Sequence, residues 1–337
     1  MRRLGLGATM RRRDFIKVIA GSTAVWPLAA RAQQPAMPVV GWLSSGSPQS
    51  DDVFRLPQFR SGLSEMGYNE GRNVAIEYRR ADEQFDRLPA LAADLVRRQV
   101  SLITAAGAPA SALAAKSATT SIPIVFVNSS DPVQLGLVAS LSRPGGNVTG
   151  INTVSAELEA KRLGLLRELV PSATSIAVLV NPARPGVDTQ LAQIEQATRA
   201  RGLSLHTLKA SSEHDLDTAF VTLVQLKAKA LIITADALFT DRINQIAALG
   251  RRYSVPTMFQ FREFAVSGGL ISYGANIGDT YRQAGLLAGR ILKGEKPADL
   301  PVIRTAKFEL VINMKTAKAI GVEVPFSMQL LADEVIE

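Results

Sequence analysis

The chain has 337 residues, 47% apolar and 6% aromatic, with no cysteine and a formal net charge of +8. The length allows two domains with separate cores, while the missing cysteine excludes disulfides, thiolate chemistry, cysteine-ligated metals and a lipid anchor carried on cysteine. The charge does not point to nucleic acid: without the first 32 residues, 31 basic residues face 29 acidic ones, and aromatic residues for base stacking are few.

Residues 1–32 read as an export signal. Arg11-Arg12-Arg13-Asp14-Phe15-Ile16-Lys17 is the charged region, residues 18–28 a mildly apolar core, and Ala30-Arg31-Ala32 a small-x-small cleavage site before Gln33. Arg12-Arg13 followed by Phe15-Ile16-Lys17 resembles a twin-arginine motif, with Arg11 where Ser or Thr is usual. Met10 offers an alternative start. No window reaches the length of a membrane span, so a soluble protein is expected, most simply in a bacterial periplasm.

Residues 38–43 (PVVGWL) predict a buried strand ending in Ser44-Ser45. Residues 54–66 carry Phe59, Leu63 and Met66 on one helical face, and GYNEG at 67–71 is a stop and turn. A strand at 74–79, an amphipathic helix at 85–98 and a strand at 100–104 follow, the last ending in Ala105-Ala106-Gly107. A helix through Lys116 leads to residues 122–150, on which the rest of the reading hangs. There an apolar β-rich run breaks into Asn128-Ser129-Ser130-Asp131-Pro132, continues as a short helix-like piece, and ends in the turn Pro144-Gly145-Gly146-Asn147. A buried parallel strand ending in a polar loop at a helix N-terminus is where open α/β sheets place ligands. The Pro-Gly-Gly-Asn turn is a candidate crossing into a second domain.

Residues 148–153 predict a crossing strand and 157–169 a long helix, after which the scheme restarts. Strands at 175–180, 204–208, 230–234 and around Pro256 alternate with helices at 191–201, 216–226 and up to Arg252. Residues 100–107 with Ile122-Pro123-Ile124 match residues 230–237 with Val255-Pro256-Thr257, about 130 positions on, which reads as a duplicated lobe. Residues 268–274 predict a second crossing strand, 280–292 a helix, 308–312 a strand and 316–320 the start of a last helix. The expected fold is α/β, two doubly wound parallel-sheet lobes with a ligand cleft and a multi-segment hinge. The first lobe takes residues 33–151 plus about 274–306, and the second 152–273 plus about 307–337.

Nucleophile elbows, P-loops and zinc-protease motifs are missing from the sequence, and His206 and His214 stand away from any Ser or Asp motif. They read as exposed structural residues; no catalytic residue, metal or cofactor is expected. What recurs is small polar residues at predicted strand ends: Ser44, Ser45, Ala106, Gly107, Asn128 and Asp131 in the first lobe, Asn181, Asp236, Gln260 and Glu263 in the second. Helix N-termini there favour a carboxylate, and Asp236 or Glu263 would pair with an ammonium. Each Ser, Asn or Asp has a competing role as an N-cap, most plainly Asp131 before Pro132, and Arg262 could neutralise Glu263. Trp42 and Tyr273 are candidates to stack on a ligand ring or to pack in the core.

Ile122-Pro123-Ile124-Val125-Phe126, Asp131-Pro132-Val133, Gly136-Leu137-Val138, the PGGNVTG block at 144–150, ILKGEKP at 291–297 and Leu310-Val311-Ile312-Asn313 carry a resemblance. Over about residues 39–325 the chain resembles the solute-binding proteins of bacterial ABC importers, of the tryptophan/tyrosine type. The resemblance implies a type I periplasmic binding protein fold, capture of one solute by lobe closure, and delivery to membrane permease subunits without chemistry. It implies an amino acid or related carboxylate, aromatic ones included, contacted by Ser44, Ser45, Gly107, Asn128, Asp131, Asp236 and Glu263. A monomer without nucleic-acid partners is expected. The rival readings are an enzyme acting on a small carboxylate in the same cleft, a ligand sensor without transport, and a transcription regulator. The last would need a DNA-binding helix-turn-helix where this chain carries its leader.

Overall fold

The computed structural model describes residues 37–153, 156–305 and 307–337, so the leader lies outside the described residues. The first run is β1 (Val39–Ser44), helical turns at Pro48–Ser50 and Asp51–Arg55, α1 (Leu56–Glu65), β2 (Ala75–Arg80), α2 (Leu88–Arg97), β3 (Leu102–Ala106), α3 (Pro109–Ala118), β4 (Ile124–Asn128) and β5 (Val148–Asn152). The second is α4 (Ala156–Leu169), β6 (Ser175–Val180), α5 (Val187–Arg199), β7 (Ser204–Lys209), α6 (Glu213–Gln225), β8 (Leu231–Ile233), α7 (Ala237–Asp241), α8 (Ile243–Arg252), β9 (Thr257–Phe259), α9 (Arg262–Val266) and β10 (Ile271–Ala275). The remainder is α10 (Ile277–Leu292), β11 (Ile303–Arg304), β12 (Phe308–Asn313), α11 (Met314–Ile320), α12 (Phe326–Leu331) and β13 (Glu334–Ile336).

Two sheets result, ordered β11-β5-β4-β3-β1-β2 and β13-β12-β10-β9-β8-β6-β7. The first is parallel throughout; in the second, β10 and β12 pair antiparallel. Strands β3 and β4 are buried at every position, which their unbroken apolar sequences require of a sheet covered on both faces. The sheets correspond strand for strand from β2-β1-β3-β4-β5 to β7-β6-β8-β9-β10. Even the proline before the fourth strand has one job in both, since the Pro123 carbonyl accepts from Ile103 N at 2.8 Å and that of Pro256 from Leu231 N at 2.9 Å.

Three expectations along the chain are corrected. Residues 132–137 form turns rather than a helix, so the loop after β4 presents no helix N-terminus. Asp131 Oδ1 accepts there from Val133 N (2.8 Å) and Gln134 N (3.2 Å). The Pro144–Asn147 turn does not leave the first sheet: Asn147 Nδ2 donates to Ile122 O at 2.7 Å, and β5 then pairs with β4 along its whole length. Residues 268–274 likewise remain inside the second sheet, where β10 lies between β9 and β12. The chain passes between sheets after β5, at Asn276 and between β11 and β12.

The Asn276 passage matters most for the site. Asn276 caps α10, its Oδ1 accepting from Asp279 N at 2.7 Å, and α10 returns to pack on α1 of the first lobe. A Cβ on Gly62 would strike the Arg282 carbonyl, and one on Gly285 the Phe59 carbonyl, so the two helices meet backbone to backbone. Above this contact Trp42 packs on Phe59 (5.2 Å between centroids) and on Tyr281 (5.9 Å). Among the described residues no helix is long and apolar enough to cross a membrane. Gly285→Ala is expected to destabilise the protein by about 1–3 kcal/mol through overpacking, despite the better helix propensity of alanine. Urea unfolding of the variant against the parent measures it.

Candidate ligand-binding site

The C-terminal ends of β3, β4 and β5 face those of β8 and β9 across a solvent-open cavity whose free space, counting the solvent at its mouth, is about 450 Å³. The first sheet contributes Gly107, Val127, Asn128, Ser129 and Thr153; the second contributes Ala235, Asp236, Thr240, Gln260 and Phe261. Arg55 and the first turn and a half of α10 (Ile277, Thr280, Tyr281) complete the wall.

The first-sheet wall is built on a buried carboxylate. Asp51 is fully buried and accepts from Trp42 Nε1 (2.8 Å), Ser44 Oγ (3.0 Å), Arg55 Nη1 (2.8 Å) and Arg80 Nε (3.3 Å). The turn from Asp51 to Arg55 sets acid and guanidinium one helical turn apart, within reach of each other. Burial works against the Arg55 charge, but Tyr281, Asp51 and Asp241 outweigh it and hold its pKa above the ordinary value. Arg55 Nη1 also donates to Ser50 Oγ at 2.9 Å. In this wall Gly107 has φ +91°, and a Cβ there would run into Ser45 Oγ, which accepts from Ala108 N at 2.7 Å.

The opposite wall carries Asp236, the N-cap of α7. Its Oδ1 accepts from Leu238 N (2.9 Å) and Asn181 Nδ2 (3.0 Å), whereas its Oδ2 is buried with no partner. Burial pushes the Asp236 pKa up, against the opposing pull of Asn181 and Arg184. Asn128 has the complementary deficit: Oδ1 accepts from Ser130 N at 2.7 Å, while Nδ2 is buried without an acceptor. Buried polar atoms are normally paired. Here a spare acceptor and a spare donor belong to residues lining one cavity.

Of the residues singled out from sequence, the cavity wall includes Gly107, Asn128, Asp236 and Gln260. Ser44 and Ser45 are fully buried and their hydroxyls serve Asp51 and Ala108, so they shape the wall from behind. Ala106 ends β3 inside the core, and Asn181 holds Asp236. Asp131 caps its own turn and borders a second, wider space of about 910 Å³ together with Glu159, Gln190 and Arg304. Glu263 does not reach the cavity. Burial raises its pKa, with the neighbouring Glu309 adding to the effect, and Arg262 is engaged by Glu334 at 2.6 Å. Tyr273 is also away from the wall, its ring 6.5 Å from that of Phe308 and its carbonyl accepting from Arg162 Nε at 2.8 Å. Trp42 is core, His206 sits on edge strand β7, and His214 is exposed on α6. Sequence reasoning missed Arg55, Thr240, Phe261, Ile277, Thr280 and Tyr281. Only Arg55 left a trace, as an acid–base pair four residues apart ahead of an apolar helix face.

The lobes touch directly at the cavity rims. Ser47 N donates to Asp241 Oδ2 at 2.8 Å, and Arg184 Nη2 donates to Ser129 Oγ and Ser130 Oγ, both at 3.0 Å. Arg184 is 3% exposed, and burial pulls its pKa down against the nearby charges of Asp236 and Glu159.

Two parallel-sheet α/β lobes with a cavity between their strand ends define a type I periplasmic binding protein. Residues 56–336 match the ABC transporter substrate binding protein family, and the chain belongs to that family. It is 29% identical over 266 residues to a tyrosine-binding protein of Clostridioides difficile, covering 79% of this chain and 76% of that one. A Streptococcus pneumonia ABC domain in complex with L-Trp superposes with TM-score 0.80 at 25% identity, covering 89% of this chain and 99% of the other. The ligand-free, open structure of a Clostridium difficile substrate-binding protein with adhesive properties gives TM-score 0.64 at 24% identity and the same coverage of 89% and 99%.

Removing the Asp51 carboxylate leaves Arg55 buried without its ion partner. Asp51→Ala is therefore expected to lower stability by about 3–5 kcal/mol, read as a fall in the urea midpoint.

Proposed function

We propose that this protein captures one zwitterionic amino acid, with aromatic amino acids the preferred class, and delivers it to the permease of an ABC importer. The observation that carries the reading is that two residues lining the cavity, Asp236 and Asn128, each keep one buried atom unsatisfied (Oδ2 and Nδ2), with Arg55 lining the same cavity. A carboxylate anion suits the Asn128 amide and Arg55; an ammonium group suits Asp236. Phe261, Ile277, Val127 and Tyr281 supply apolar and aromatic surface for a side chain. The tyrosine-binding relative and the L-Trp complex support the choice of cargo. The lobes touch here through Ser47 and Arg184.

A thermal-shift panel of residues 33–337 against the amino acids, short carboxylic acids and sugars tests the cargo. Ligand at 100 times its Kd should add about 2.7 kcal/mol of stability, visible as a selective rise in Tm. Asp236→Asn should weaken amino acid binding by about 30-fold or more while the protein stays folded, because the ammonium loses its buried counter-charge. A panel without an amino acid response, or undiminished affinity in Asp236→Asn, overturns the assignment.

The leader fits the same role, since a binding protein of an importer works outside the cytoplasm. We assign export to the twin-arginine route, with cleavage after Ala32. Replacing Arg12 and Arg13 by lysine should abolish the periplasmic product, whose N-terminal residue, read by mass spectrometry, should be Gln33 in the parent.

A further inference from the structure

Beside the Ser47–Asp241 contact two acidic side chains approach each other across the lobes. Glu83 belongs to the turn after β2, where Asp82 and Glu83 both adopt left-handed backbone conformations, φ +51° and +67°. Such conformations are unfavourable for residues with side chains and persist where surroundings enforce them. Here Ala81 N donates to Ser44 O at 2.9 Å and Glu83 N to Ser45 O at 2.8 Å, so the end of β1 holds the turn in place. Asp241 ends α7 on the second lobe and takes the Ser47 N–H at Oδ2. Its Oδ1 is buried and accepts from no N–H or hydroxyl among the described residues. Glu83 comes up to it from the first lobe, its Oε1 3.7 Å from Arg242, the residue after Asp241, and the nearness of Asp241 raises the Glu83 pKa.

Two carboxylates in such contact repel unless a proton lies between them. Their other neighbours do not remove the conflict. Arg242 is 3.7 Å from Glu83 Oε1 and is shared with Glu213 on α6 at 3.2 Å, while Arg87 is taken by Asp82 at 3.1 Å. Asp236 adds negative charge on the second lobe. Arg55 attracts Asp241 from the first lobe but already pairs with Asp51. His214 follows Glu213 on α6 and is exposed.

We propose that Glu83 and Asp241 form a proton-bridged clasp between the lobes, so that ligand capture takes up one proton and weakens as pH rises toward neutrality. The proposal rests on the binding-protein reading, because the clasp exists only when the lobes meet. Burial first, then the hydrogen bond and charge of Asp241, push the Glu83 carboxyl up to about 7 from its ordinary 4.5. With the lobes apart Glu83 is an ordinary acid. Between those two values the closed form therefore holds a proton that the open form lacks, and closure becomes less favourable as pH rises. Below the window both forms are protonated and above it neither is, so the dependence levels off at each end.

The test is the Kd of L-tyrosine and L-tryptophan by calorimetry from pH 5.5 to 7.5, for the parent, Glu83→Gln and Asp241→Asn. The parent Kd should rise about 20-fold across that range, with proton uptake seen as a buffer-dependent heat. Glu83→Gln should lose this rise and should bind more tightly than the parent at pH 7.5. Identical pH profiles for parent and Glu83→Gln overturn the clasp while leaving the binding function intact. If neither amino acid binds, the functional reading fails, and small-angle scattering of the ligand-free protein decides the clasp separately. A more compact parent at pH 5.5 than at 7.5, with Glu83→Gln unchanged, supports it; the same pH response in both overturns it.

Discussion

The backbone-to-backbone seat of α10 on α1 is the constraint on which the rest of the molecule depends. Gly62 and Gly285 allow a helix that has just left the second sheet to settle into the first lobe as if it had never been elsewhere. That seat brings Thr280 and Tyr281 to the cavity beside Arg55, and it leaves Asn276 as a short, capped passage between the lobes. A close-packed contact of this kind has little freedom to slide. Relative motion of the lobes is thereby confined to the three connecting segments.

Buried polar groups behind the cavity and in its wall are satisfied to different degrees. Asp51 sits in the core with four donors around it, and Ser44 and Ser45 are used up in the same way. Asp236 and Asn128 each have one atom engaged and one left over, although both are buried. An unpaired buried polar atom carries a desolvation penalty that folding alone does not recover. A bound molecule with groups of the opposite kind would recover it, and Asp236 and Asn128 are set apart from the other buried unpaired groups, such as those of Thr104 and Glu263, by lining the same cavity.

The contacts that hold the lobes together have the same character. Arg184 is buried against serine hydroxyls without a carboxylate in ion-pair range among the described residues, and Glu83 meets another acid. The one charge pair between the lobes among the described residues, Glu83 with Arg242, is long at 3.7 Å and shared with Glu213, so closure gains little from either arrangement. A binding protein has to release its cargo, so the closed state should be held by the ligand rather than by the lobes themselves.

The sequence by itself determined two largely parallel sheets, though not the antiparallel pairing of β12 on β10, because continuous apolar runs such as LITAA and IVFVN, separated by helical spacing, can be buried only in sheets covered on both faces. The repeated x-Pro strand made the correspondence of the lobes legible, and strand ends located the cavity to within a few residues. Local pattern misread the loop after β4 as a helix start because Asp131 satisfies its cap within a turn. It also passed over Arg55 and Tyr281, which reach the cavity through a buried carboxylate and a returning helix. Only the tertiary structure decided which polar side chains line the cavity. Strand periodicity says that a residue is inside, whereas the choice between Ser44 behind the wall and Asp236 in it depends on which hydrogen-bond partners arrive from distant segments.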